Sequence, residues 1–136
     1  MTKLLPILVG IALASAACKG KETSPTAPAP MPTTDTFSGT VQVRGSAIHT
    51  FNVAQSGQVA VTLTAAGPPA TIVMGVGVGT PGDNACGVLP GASVMTAAGT
   101  TAQLTGVVSP GMLCATVYDV GNQTAAVNYT ITVVHP

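Results

Sequence analysis

The chain has 136 residues, of which 46% are apolar, 3% aromatic and only 6% charged, and its formal net charge is zero. An average soluble protein carries roughly 25% charged residues. Beyond residue 35 the only base is Arg44 and the only acids are Asp83 and Asp119, which excludes neutralisation of several phosphates, hence nucleic-acid binding, and excludes electrostatic docking of this part to an anionic membrane.

Residues 1–17 read as an export signal. Lys3 provides a positive start, and residues 4–13 form an apolar run within the 7–15 residues of a signal core and short of the ~20 needed to span a bilayer. Ala14-Ser15-Ala16-Ala17 then leads into Cys18. Small residues before a Cys at the end of an apolar run resemble the lipobox of bacterial lipoproteins, with Ser15 where that pattern usually has Leu. The resemblance implies a diacylglyceryl group on the Cys18 thiol, Cys18 as mature N-terminus and the membrane as partner. Lys19 in place of Asp then points to the outer membrane, on its surface or periplasmic side. The alternative is cleavage after Ala16 or Ala17 and simple secretion. Residues 18–36 form a Pro/Thr-rich tether with Pro25, Pro28, Pro30 and Pro32. Such spacing favours polyproline II, at about 3.1 Å per residue, and acts as a semi-rigid spacer.

Residues 37–136 form the domain. With so few aromatics its core has to come from Val, Ala, Leu, Ile and Thr, a β-branched mixture that favours strands. The counts of 16 Gly and 11 Pro fit many turns. Strands are expected over 37–44, 47–53, 58–65, 71–79, 93–96, 100–108, 111–119 and 126–134. The cleanest is 58–65, where Val59, Val61 and Leu63 alternate with polar neighbours. Residues 80–92 read as a long loop. Segment 111–119 reads as a central strand, with Leu113, Ala115 and Val117 on one face and Met112, Cys114, Thr116 and Tyr118 on the other. Spacings of about ten residues, with turn chemistry between, predict an all-β fold: a seven- or eight-stranded antiparallel β-sandwich, jelly-roll or immunoglobulin-like.

With Cys18 assigned to the signal region, Cys86 and Cys114 remain as an even pair in an exported domain, and a disulfide is expected. It would pin the 80–92 loop to the 111–119 strand. Gly77-Val-Gly79-Thr-Pro-Gly82 matches a dinucleotide fingerprint in letters alone, because Pro81 and a Gly-Asp-Asn turn stand where a helix should open. The only histidines are His49 and His135, and neither has Ser and Asp partners at suggestive spacing. Asp83 and Asp119 lie in turn sequences, where Asp commonly satisfies backbone groups; a weak calcium site at Asp119 and Asn122 is the alternative for that loop. No catalytic residues, cofactor or metal ligands are assigned. Asn122-Gln-Thr124 and Asn128-Tyr-Thr130 match the glycosylation sequon, which a bacterial-type signal makes uninformative.

Phe37-Ser-Gly39, His49-Thr-Phe51-Asn-Val53, Ser56-Gly57-Gln-Val59-Ala-Val61-Thr-Leu63, Pro110-Gly111 through Val117-Tyr-Asp119, and Asn128-Tyr129-Thr-Ile131-Thr-Val133 together resemble the bacterial pre-peptidase C-terminal domain. That resemblance implies a small β-sandwich serving as a non-catalytic accessory or binding module. The expected function is an envelope-anchored or secreted module for adhesion, carbohydrate or protein contact. The alternative is a structural subunit of a surface layer or filament that assembles through sandwich edges. A small hydrolase is the third and weakest reading.

Overall fold

The computed structural model describes Gly20 and residues 24–136. The expected signal segment, Cys18 and Lys19 lie outside the described residues. From residue 33 onward the chain is all β: β1 (Thr33–Val41), β2 (Ser46–Val53), β3 (Gly57–Gly67), β4 (Met74–Gly82), β5 (Ala85–Thr96), β6 (Leu104–Val108), β7 (Gly111–Asp119) and β8 (Val127–His135). They form two four-stranded antiparallel sheets, in the orders β1-β8-β3-β6 and β2-β7-β4-β5.

Four of the pairings are nested: β1 with β8, β2 with β7, β3 with β6 and β4 with β5. The chain is in effect one long hairpin, tipped at β4–β5 and rolled over so that alternate pairs fall in opposite sheets. This is the jelly-roll arrangement of the two that were expected; an immunoglobulin sandwich distributes its strands differently. Only the β4–β5 connection stays within one sheet.

Alternation in the sequence dictates which side chains fill the space between the sheets. Val59, Val61 and Leu63 of β3 and Val127, Tyr129, Ile131 and Val133 of β8 meet Phe51, Val53, Met74, Val76, Leu113, Ala115 and Val117 from the opposite sheet. Leu63, Ile131, Met74 and Val117 are wholly enclosed. At ~25 cal/mol per Å² these aliphatic side chains supply most of the folding drive, each about 1.5–3 kcal/mol on full burial.

The structure corrects the expected strand bounds: β4 begins at Met74 and β6 at Leu104 rather than at 71 and 100, β3 runs on to Gly67, and three further changes are larger. β1 begins at Thr33, inside the stretch read as tether, because Thr34, Thr36, Ser38 and Thr40 alternate with Asp35, Phe37 and Gly39 in register with β8. Arg44 is not in a strand but in the turn to β2, with φ 58°. Residues 80–92 are not a loop: β4 runs on to Gly82, Asp83-Asn84 makes a two-residue hairpin turn, and β5 occupies 85–96. Asn84, at φ 56°, takes the left-handed conformation, which Asn tolerates better than most residues.

Candidate functional site

Cys86 and Cys114 are joined in a disulfide, and the local geometry explains the glycines beside it. Cys114, Thr116 and Tyr118 lie on the outer face of β7, next to Gly79, Gly77 and Gly75 of β4. A side chain at Gly79 would run into the Gly87 carbonyl, and one at Gly75 into the Tyr118 ring. The first half of β5 therefore folds over a bare strip of β4, which brings Cys86 within reach of β7 although β4 lies between the two strands in the sheet. This is the role of the Gly-Val-Gly-Val-Gly run. It belongs to a strand leading into a hairpin, and no helix opens after it, so the dinucleotide reading is excluded.

The titratable groups fall into separate places. His49 projects inward from β2, stacked on Phe37 of β1 with ring centroids 4.6 Å apart and planes 11° from parallel. Its Nε2 lies 2.6 Å from the Tyr129 hydroxyl. Burial lowers the His49 pKa from its ordinary value and raises that of Tyr129. Both groups therefore favour their neutral forms, and in the Nδ1–H tautomer the hydroxyl donates to Nε2. Gly39 makes room for the hydroxyl: a Cβ there would stand 2.7 Å from it. His135 is 4% exposed and its Nε2 lies 3.0 Å from Asp35 Oδ2. Its ring packs against Phe51 at 5.2 Å. Each histidine thus has a structural partner.

Asp119 closes the end of β7. Its Oδ2 accepts from the Arg44 N–H at 2.8 Å, and its Oδ1 from the N–H groups of Gly121, Asn122 and Gln123 at 2.8, 3.2 and 3.2 Å. The Arg44 N–H is the leading cause that lowers this carboxyl's pKa. Asn122 donates its side-chain amide to the Val73 carbonyl at 3.1 Å. These bonds tie the loop to the end of β7 as a backbone clasp. Asp83 sits at the β4–β5 tip, beyond Gly79, which pairs with Cys114, whereas Asp119 pairs with Met74. The two carboxylates lie at opposite ends of the sheet, about 30 Å apart at ~3.3 Å per residue, so they form no pair. Among the described residues no three His, Cys, Asp or Glu side chains cluster as metal ligands, and no helix there is long and apolar enough to cross a membrane.

The outer face of the β1-β8-β3-β6 sheet is the feature that reading the chain strand by strand missed. Thr36 of β1 pairs with Thr132 of β8, which pairs with Thr62 of β3, so three threonines stand in one row across the sheet. Ser38 and Thr130 form the next row and share a hydrogen bond of 2.9 Å; Thr40 donates to Asn128 Oδ1 at 2.7 Å. Thr34 and Thr64 extend the array, and Thr64 donates to the Thr130 carbonyl at 3.1 Å. The TxT spacings were visible in sequence, but only strand pairing puts them side by side. The scan against protein-family models matches none, and no curated protein matches this chain. An apolar cleft of about 180 Å³ opens on another side, between β5 and β6, with Val61, Val78 and Leu104 at its base and Leu89 and Val107 at its rim.

Proposed function

We propose that this chain is a non-catalytic jelly-roll contact module, carried outside the cytoplasm on its Pro/Thr-rich tether, and that the hydroxyl-rich face of the β1-β8-β3-β6 sheet is its contact surface. The single observation that carries this reading is the uncharged array of Thr36, Thr132, Thr62, Ser38, Thr130, Thr40 and Asn128 on one outer face. Every hydroxyl both donates and accepts, and the Asn amide adds both kinds of group. With strands ~4.8 Å apart and alternate residues ~6.7 Å apart, the face offers a regular grid of such groups. A grid of this kind suits a polyhydroxylated polymer, so the ligand class favoured is a neutral glycan. The resemblance of the strand segments to pre-peptidase C-terminal domains supports an accessory role, and jelly rolls include lectin domains, an argument from fold analogy alone.

The expected anchor is a diacylglyceryl group on Cys18, with release into the medium as the alternative. Intact-mass measurement of the exported protein separates the two: a diacyl mass on Cys18 supports the anchor, and a free N-terminus at Ala17 or Cys18 supports secretion. For the contact surface, the exported chain is applied to a glycan array, and binding is compared with Thr36→Val and Thr132→Val. Binding lost in both variants without a fall in melting temperature is the expected result. An array with no hits rejects the glycan, and binding unchanged in both variants rejects the face.

A further inference from the structure

We propose that β2 is a docking edge for a second copy of this chain, pairing antiparallel with the partner's β2 to extend the β2-β7-β4-β5 sheet into an eight-stranded one. Each sheet of a sandwich ends in edge strands with unpaired backbone groups, and proteins guard such edges with charges aimed inward, prolines, bulges or short length. Three of the four edges here are guarded. β1 carries Asp35, turned inward and held by His135 at 3.0 Å, and is entered through Pro30 and Pro32. β5 contains Pro90 and breaks register: four residues, 89–92, lie between its Ser93–Gly77 and Val88–Gly79 pairings, against Val78 alone on β4. β6 has five residues and is followed by Pro110. β2 has eight residues, Ser46–Val53, with no charge, no proline and unbroken register against β7. Apart from its ladder with β7, none of its backbone groups bonds to another strand.

A second copy is the occupant that this edge fits. Antiparallel self-pairing keeps the inner faces together only in registers that place a residue opposite a copy of itself or of a residue an even number away. Centring on Thr50 sets Thr50 against Thr50 and Ile48 against Asn52 on the outer face, and keeps the two His49 rings from facing one another. Arg44 then falls opposite Ser56, so no like charges meet. Because the pairing is isologous it closes at two copies, and the guards on β1, β5 and β6 oppose growth into a filament. A single strand pair buries less than the ~1,000 Å² of a stable interface, so the dimer is weak and reversible. The proposal is independent of the glycan reading, which concerns the other sheet.

Sedimentation of the exported chain over a hundredfold concentration range tests it, together with amide hydrogen exchange at both extremes. The expected result is a monomer–dimer equilibrium in which amides of Ser46–Val53 gain protection as concentration rises. Thr50→Lys, which sets two ammonium groups against each other, weakens the dimer at least tenfold, while Val107→Lys on β6 leaves it unchanged. A monomer at all concentrations, a dimer indifferent to Thr50→Lys, or species larger than a dimer each overturns it. Should Thr50→Lys fail to fold, the concentration dependence of β2 protection in the unaltered chain decides alone.

Discussion

At the scale of single residues, Asp119 and His49 each make the stability of the fold depend on pH, and they act over different ranges. The Asp119 carboxylate receives four backbone N–H bonds, led by that of Arg44, which hold its native pKa below the ordinary value. A depressed carboxyl stabilises the fold above its unfolded pKa of ~3.9, and that contribution is lost as pH falls through the native value. Asp119→Asn keeps one acceptor but loses the charge. It is expected to lower the melting temperature at pH 7 and to flatten the loss of stability between pH 4 and 2; an acid slope equal to that of the parent would count against the clasp. His49 works in the opposite chemical sense. Burial depresses its pKa below 6.5, so the unfolded chain takes up a proton first. Its contribution is complete above pH 6.5 and is lost as pH falls toward the native value. Urea titrations at pH 7 and pH 5 should show stability falling with pH, and falling less in His49→Gln, which still offers Tyr129 an acceptor. Equal differences in the two proteins would remove His49 as the cause.

At the scale of elements, the β4–β5 hairpin shows what could and could not be read from the chain. Strands β2, β3 and β8 were legible because one face of each meets the core and the other meets water, so Phe51-Asn-Val53, Val59-Ala-Val61-Thr-Leu63 and Val127 to Val133 alternate cleanly. β7 is enclosed on both faces over 113–117 and was legible from its alternation in size and the turns at its ends. β4 is enclosed on both faces and β5 is almost wholly exposed over residues 85–91. Neither alternates, which is why 80–92 resembled a loop. The Cys86–Cys114 pairing was legible from arithmetic, but the reason for Gly79 was not, since it lies in the approach of the Gly87 carbonyl from the same hairpin. That contact is with backbone and cannot yield, so Gly79→Ala should cost about 1–3 kcal/mol, the ordinary range for overpacking, read by denaturant melts. Replacing both cysteines by serine releases a loop closed over a sequence separation of 28 and should cost about 3.5 kcal/mol in the chain-entropy model. A loss well under 1 kcal/mol would mean that the hairpin holds its place on the glycine strip without the bond.

At the scale of the whole molecule, the two open sides of the sandwich are sealed by different chemistry. On the β1/β2 side the seam is aromatic and hydrogen-bonded: Phe37 on His49, His49 to Tyr129, and Phe51 on His135. On the β5/β6 side the register break lifts β5 away, and the cleft of about 180 Å³ remains above Val61 and Leu104. β6 is bonded to β3 alone, over five residue pairs, whereas β7 and β8 each have a paired strand on both sides. Local opening follows the weakest such boundary, where few apolar contacts and few ladder bonds must break. Amide exchange is therefore expected to be slowest in β7 and β8 and fastest among the strands in Leu104–Val108. The cleft is the cause in this account, so filling it is the sharper test. Ala92 and Gly106 line it, and no heavy atom lies within 4 Å of a Cβ built on Gly106. Gly106→Val should slow exchange across β6 and leave β7 and β8 unchanged. Uniform slowing of all strands would instead mean that β6 opens only when the whole sandwich does.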